Sequence, residues 1–297
     1  MSFIAGIGKI NIDLIYSGLT RLPEEGEELY SEGFKICLGG GAPATIINLS
    51  RLNIPVSLAT YIGKDLFSDF AVAEMNKTKI KITNLYQGGN MAVNISTAIL
   101  TPNDRSFVSY GEQLVINDTV LNDFYNMARG AKFVIMEKGL NEVYRKLKSE
   151  GTKLILDVSW DPDMSLKTYR EYLELADYFL PNRREAIKIT NAASYKEAAV
   201  ILSDYFPEVI IKLDSEGTYL YRNGEGKIIE SNKEFIHKDS TGAGDAFLSG
   251  FLYGLYNGYQ IEKCIAAGNL TGGKCVSDYG CLTAYLSEKE LIEMLNN

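Results

Sequence analysis

The segment Asp239-Ser240-Thr241-Gly242-Ala243-Gly244-Asp245 leads without a break into the apolar run Ala246-Phe247-Leu248-Ser249-Gly250-Phe251-Leu252. Phe247, Leu248, Phe251, Leu252 and Leu255 recur with helical period, which puts the glycines at the start of a helix. Unpaired backbone N–H groups gather at such a start, and their partial positive charge suits an anion such as a phosphoryl group. Glycine lets that anion approach the backbone closely. A carboxylate at Asp245 would repel the same anion, so its use lies elsewhere: it can take a proton from a hydroxyl that attacks phosphorus. The plainer reading makes Asp239 and Asp245 helix caps and the glycines a tight turn, and for an isolated match it would prevail.

Chemistry of this kind needs a frame that brings several loops together. Strand-like segments at residues 3–8, 56–61, 132–137, 153–157, 178–180 and 208–212 alternate with helical patterns such as 65–77, 120–129 and 195–205. The alternation predicts a mostly parallel sheet covered by helices on both faces. Two intervals break the rhythm: 12–36 and 92–110 carry β-type alternation (Val93, Ile95, Thr97, Ile99) and turn residues but no helical pattern. In an open α/β sheet the site lies outside the carboxyl ends of the strands. That rule gathers Asn11 and Asp13 after the first strand, Asn182 and Glu185 after 178–180, and the turn 242–245 into one crevice.

Asn11 and Asp13 are short side chains with hydrogen-bonding ends, suited to neighbouring hydroxyls; the alternative is an Asx-turn closing the strand. Glu185, in a first helical turn, suits the macrodipole with or without a metal. Gly268-Asn269-Leu270-Thr271-Gly272-Gly273-Lys274-Cys275 imitates a phosphate loop until its last position, where magnesium needs Ser or Thr. It also continues the helical pattern of Ile261, Cys264 and Ile265, so its small residues are better explained by two closely packed helices.

The chain resembles the PfkB carbohydrate kinases, the ribokinase-like family. Residues 239–245 follow that family's D-T-x-G-A-G-D, with Ser240 in the place of Thr. Gly40-Gly41-Ala42-Pro43-Ala44-Thr45 follows G-G-x-x-A-N except for Thr45, and stands before the helical run 46–52. Asn182-Arg183-Arg184-Glu185 carries N-x-x-E intact, and Asn11-Ile12-Asp13 stands where the family has N-x-D. In this order, from residue 11 to residue 245, the matches span nearly the whole chain.

The resemblance implies a single ribokinase-like α/β domain over 1–297, in which the segments 12–36 and 92–110 form a small β-sheet lid over a sugar. It implies ATP-dependent phosphorylation of a hydroxyl of a small sugar or sugar derivative, with Asp245 as general base and Gly242, Ala243 and Gly244 as anion hole. Asn11, Asp13, Gly40, Gly41 and Thr45 then meet the sugar. Asn182 and Glu185 lie toward the nucleotide, and Glu185 serves Mg²⁺ through water. Lys212, Asp214 and Gly217 border the nucleotide, with Asp214 in the place of a usual glycine, and Asn269 falls near the adenine pocket. Asp239 and Thr241 match residues that bind K⁺ in many members. Arg105 in the lid and Glu137 at a strand end are further candidates for substrate contact; their plainer readings are a solvated turn charge and a structural carboxylate. Thr45 in the place of asparagine implies fewer polar contacts and poor activity on D-ribose. Nucleoside kinases use the same machinery, and a catalytically idle sugar- or nucleotide-sensing protein is the reading from outside catalysis. A homodimer through the lid is a further expectation.

Composition sets limits on partners. Thirty basic residues against 38 acidic ones leave a net charge of −8, which argues against nucleic acid or an anionic membrane. The N-terminus enters the strand-like Phe3-Ile4-Ala5-Gly6-Ile7-Gly8 without a signal-peptide pattern, and no apolar run is long enough for a bilayer. Cys37, Cys264, Cys275 and Cys281 form no CxxC pair and His237 is the one histidine, so structural zinc and a disulfide framework are not expected and the expected compartment is the cytoplasm. At 297 residues the chain can bury a substantial core.

Overall fold

The computed structural model describes residues 2–88, 91–102, 105–113 and 115–296. The chain opens with β1 (Ile4–Ile7), β2 (Asn11–Ser17), β3 (Gly33–Leu38) and α1 (Ala42–Arg51), followed by β4 (Val56–Thr60), α2 (Leu66–Met75) and β5 (Ile80–Asn84). Next come β6 (Asn94–Leu100), β7 (Arg105–Tyr110), α3 (Asp118–Ala128), β8 (Phe133–Ile135), α4 (Asn141–Ser149), β9 (Lys153–Leu156) and α5 (Leu166–Leu175). The last third holds β10 (Tyr178–Phe179), α6 (Arg183–Thr190), α7 (Tyr195–Leu202), β11 (Glu208–Lys212), β12 (Thr218–Arg222) and β13 (Glu225–Ile229), then α8 (Ala243–Tyr256), α9 (Ile261–Cys275) and α10 (Glu288–Asn296).

Six parallel strands form the central sheet in the order β10-β9-β8-β1-β4-β5. Their apolar runs alternate strictly between two cores. Ile4, Val56, Leu58, Phe133, Ile135 and Ile155 face one core, built with α1, α8 and α9, whereas Ala5, Ala59, Val134, Leu154 and Leu156 face the other, built with α3 to α7. Burial on both faces explains why these strands read as continuous apolar runs. The strand order reverses at β1, so a crevice opens outside the carboxyl ends of β1 and β8. The antiparallel trio β11-β12-β13 continues this layer, tied on by the Lys212 amide donating to the Pro181 carbonyl at 2.9 Å.

The two intervals without helical pattern pair with each other as a separate four-stranded sheet, β3-β2-β6-β7. Asn103 and Asp104 of the second interval lie outside the described residues. Asn11 and Asp13 do not close β1 in an Asx-turn: they are residues of β2, and their spacing of two puts both on one face of this small sheet. Most strands and helices end one to three residues inside the expected bounds, because the last residue of each apolar run already turns toward a loop. The hairpin of β12 and β13 was not expected; its outer strand is exposed at four of five positions and has little apolar signal. Among the described residues no helix is long and apolar enough to cross a membrane.

The phosphate-loop imitation is helix, as its pattern suggested, and its glycines have a packing reason. A Cβ on Gly268 would lie 2.8 Å from the Phe247 ring, and one on Gly250 would lie 2.3 Å from Thr271 Oγ1 and 2.4 Å from the Ala267 carbonyl. The axes of α8 and α9 therefore approach to a distance that only glycine permits. Gly250→Ala tests this. In an exposed helix the change would help by about 1 kcal/mol through propensity, whereas here overpacking should destabilise by about 1–3 kcal/mol. Thermal or urea unfolding distinguishes the two signs.

Candidate active site

The carboxyl ends of the sheet open into a cleft of about 2540 Å³, bounded on its far side by residues of the small sheet such as Asn94, Leu100 and Arg105. A single drug-sized ligand needs roughly 300–1,000 Å³, so there is room for two molecules end to end. Glu137 follows β8, Asp157 follows β9, Asn182 follows β10 and Lys212 ends β11, and all four line the cleft.

The start of α8 forms the floor. Gly242 precedes the helix with φ 76°, and a Cβ there would sit 2.1 Å from Cys281 Cβ, so conformation and packing both demand glycine. No side chain caps this helix, which leaves its first-turn amides for an anion. The Ala243 amide turns back to the Ser240 carbonyl at 3.3 Å, long for such a bond. Asp245 stands in the first turn, where its Oδ2 accepts the Gly41 amide at 2.9 Å. A Cβ on Gly40 would approach that oxygen to 2.6 Å, so the glycine pair 40–41 exists to let this carboxylate in. Burial, and then the charge of Asp157, push the Asp245 carboxyl up to about 7 against the pull of Gly41 and Lys212. A carboxylate tuned close to neutrality is suited to proton transfer.

Lys212 sits between these acids. Its Nζ pairs with Asp157 Oδ1 at 3.0 Å, and a Cβ on Gly244 would lie 3.4 Å from it. Burial opposes its charge, but Asp157 and Glu185, with Asp245 beyond, outweigh that and hold its pKa above the usual value. Glu185 lies in the first turn of α6 in a reciprocal cap: its Oε2 accepts the Asn182 amide at 2.8 Å and its own amide donates to Asn182 Oδ1 at 2.9 Å. The Asn182–Glu185 motif thus builds the helix start and lines the cleft at once. Burial raises the Glu185 carboxyl, partly offset by Lys212. Among the described residues no three acids, histidines or cysteines converge on one metal position. The carboxylates of Asp157 and Glu185 beside the anion turn would therefore hold a hard cation such as Mg²⁺ largely through water.

At the other end, the Asn11 amide donates to Asp13 Oδ1 and to Ser96 Oγ, the latter at 3.2 Å. Burial first, with some help from the charge of Asp239, moves Asp13 up to about 6 against the Asn11 bond. Glu137 is open to the cleft, and the surrounding walls raise its carboxyl. Thr45 is placed differently from the expectation of substrate contact. It is fully buried, and its hydroxyl donates to the Asp245 backbone carbonyl at 3.3 Å, tying α1 to α8. Asn269 is likewise engaged within the protein, accepting from Thr218 Oγ1 at 2.7 Å and donating to the Ile229 carbonyl at 2.8 Å. Asp214 adopts a left-handed φ of 54°, and Gly217 sits where a Cβ would be 2.2 Å from the Ile229 carbonyl; both line the cleft.

Arg105 is no solvated turn charge. Its Nη1 donates to Asp239 Oδ1 at 2.9 Å, and Asp239 is almost sealed from solvent. Asp239 also receives the Thr241 amide and hydroxyl at 3.0 and 2.7 Å and the Gly280 amide at 3.0 Å. Those contacts hold its carboxyl below the usual range despite burial. The carboxylate for which the resemblance implied a monovalent cation thus has a guanidinium on it. The sequence reading passed over Asp157 and Lys9. Asp157 ends a strand on the crevice side, which was a usable signal; Lys9, which donates to Asn94 Oδ1 at 3.2 Å, gave none.

Comparison with known proteins supports the same picture. The model of the pfkB family carbohydrate kinases matches residues 1–288. A ribokinase of Lactococcus lactis subsp. lactis is 24% identical over 94% of this chain and 92% of its own length. A nucleoside kinase of Methanocaldococcus jannaschii is 24% identical over 99% of this chain and 97% of its own. Among solved structures, Arabidopsis thaliana ribokinase complexed with ribose and ATP superposes with a TM-score of 0.80 at 21% identity, covering 100% of both chains. A parallel sheet ending in a glycine-walled carboxylate, together with a family match over almost its full length, establishes that this chain belongs to the pfkB family of carbohydrate kinases.

Proposed function

We propose that the protein transfers the γ-phosphoryl group of ATP to a hydroxyl of a small sugar or sugar derivative. The observation that carries this reading is Asp245: a carboxylate pushed up to about 7, at an uncapped helix start that lines the cleft, and held by the Gly41 amide. A hydroxyl bound over Gly40 and Gly41 loses its proton to Asp245 while the first-turn amides of α8 stabilise the transferring phosphoryl group. Asn11, Asp13 and Glu137 supply acceptors for the sugar's other hydroxyls. The nucleotide lies toward Asn182, Lys212, Asp214 and Gly217, with Asn269 in the wall behind. Mg²⁺, when bound, neutralises phosphate charge; Glu185, Asp157 and Lys212 set the charge it meets.

A nucleoside acceptor is the second reading, supported by the likeness to the M. jannaschii nucleoside kinase over nearly the whole chain. The small sheet acts as a lid in both readings, and its exposed Phe34, Ile36, Phe107, Val108 and Tyr110 support pairing of two copies through it. The four cysteines are unpaired thiols, which agrees with a cytoplasmic setting. Thr45, bonded to α8, acts on the sugar only by holding Asp245 in place.

ADP release measured against a panel of sugars and nucleosides tests the reading; the expected result is turnover with at least one sugar. Asp245→Asn should lower kcat by about 10²–10⁴-fold while substrate affinity stays within a small factor, and near-wild-type turnover would remove Asp245 from the chemistry. Because the base must be deprotonated, kcat/KM should rise as pH climbs through about 7. Asp157→Asn removes a charge that raises the Asp245 carboxyl, so it should move this acid limb to lower pH; an unmoved limb would assign it to another group. Glu185→Gln preserves the helix cap, since either side chain completes it, and should raise the Mg²⁺ concentration for half-maximal rate more than the KM for sugar. Equal effects on both would leave Glu185 a structural residue only.

A further inference from the structure

We propose that the guanidinium of Arg105 is the resident cation of the turn 239–241, so that this protein works without an added monovalent ion. Asp239 is a carboxylate almost sealed from solvent. Its side chain is 4% exposed, and every hydrogen bond it makes is accepted from a donor, one of them the Arg105 guanidinium, as suits a carboxylate in its charged form. A buried carboxylate of that kind needs a counter-charge as well as hydrogen bonds. The hydrogen bonds come from Thr241 and Gly280, and the positive charge comes from Arg105 at 2.9 Å.

Ligand capacity points the same way. Asp239 Oδ1 accepts Arg105 Nη1, the Thr241 amide and the Thr241 hydroxyl, and Oδ2 accepts the Gly280 amide. An ionised carboxylate offers about two acceptor sites on each oxygen; three donors crowd Oδ1, which faces Thr241, and the Gly280 amide takes one site on Oδ2. The Thr241 carbonyl in turn accepts the Cys275 thiol at 3.5 Å. A potassium ion would have to displace these donors and sit beside a fixed positive charge, which raises its cost further.

Arg105 opens β7 of the small sheet, whereas Asp239 belongs to the turn that leads into α8 and Asp245. One ion pair therefore neutralises the turn and fastens the small sheet to it. The Asp239 charge is also felt at Asp13, so the same guanidinium shields the sugar end of the cleft. A cation carried on a strand, unlike a dissolved ion, is present whenever that strand is in place.

The test compares potassium chloride with tetramethylammonium chloride at matched ionic strength. Ligand-free wild type should have the same melting temperature in both, and its rate of ADP release should also be the same. Arg105→Ala should melt lower in tetramethylammonium and recover with potassium along a saturable curve. Its kcat/KM should fall roughly tenfold or more without potassium, as expected for loss of one hydrogen bond to a charged group, and rise again with it. Arg105→Lys, which keeps the charge, should stay insensitive to the salt. A saturable, potassium-specific rise in the wild-type melting temperature would overturn the proposal, as would Arg105→Ala showing wild-type melting with no response to cation. Should Arg105→Ala fail to fold in either salt, the wild-type titration alone decides by the same criterion. The melting arm does not depend on the kinase reading. Inactivity on every acceptor with a potassium-indifferent wild type would therefore fault that reading and leave this one standing.

Discussion

Asp245 and Gly41 touch across 204 residues of sequence, and most of the structure can be understood as what makes that contact possible. One partner lies at the start of α8 and the other just before α1, so both helices must present their N-termini to the same point above the sheet. Thr45 joins them through its bond to the Asp245 carbonyl, and the absence of a side chain at Gly40 leaves the space that the carboxylate occupies. Behind them, Gly250 and Gly268 let α9 seat α8 closely from the opposite side. Small residues at these positions fix where a charged one ends up, and interiors packed this tightly resist relaxation when volume changes.

Around that contact the electrostatics are a balance of buried charges. Lys212 keeps its proton because Asp157 and Glu185 surround it, and Asp245 is pushed up to about 7 by burial first and then by the charge of the same Asp157. No member of the set could be removed without moving the others. Charge is compensated differently at the neighbouring turn, where donors from Gly280 and Thr241, with Arg105, hold the Asp239 carboxyl below the usual range. One cleft thus contains a carboxyl pushed up to about 7 and another held below the usual range: Asp245 is raised by burial and by Asp157 and receives one backbone amide, whereas Asp239 receives donors from Gly280 and Thr241 and the charge of Arg105.

The small sheet supplies what the large one cannot. Parallel strands end in short loops on one side of a plane, which gives a floor but no cover. β2, β3, β6 and β7 come from two separated intervals, bring Asn11, Asp13 and Ser96 onto one surface, and carry Arg105 to the turn before α8.

Local chemistry in the sequence was sufficient for the helix start at 242–245, for the place of Glu185 in a first helical turn, and for the parallel sheet, because each depends on neighbours a few residues away or on apolar periodicity; the reciprocal cap of Asn182 and Glu185 came only with the structure. The rejected phosphate loop was also legible, since its helical period was visible from Ile261 onward. Thr45, Asn269 and Arg105 were read as ligand-facing from their places in motifs or segments, and only the folded chain showed where their polar atoms point. Thr45 turns to the backbone of α8, Asn269 to the end of β13, and Arg105 to Asp239, 134 residues distant. Asp157 became significant only when Lys212 arrived beside it, 55 residues later in the chain. The type and spacing of residues determine which groups can hydrogen-bond or ionise; which of them remain available for a substrate is decided by long-range partners, since a buried polar atom takes whatever complementary atom the packing brings within reach.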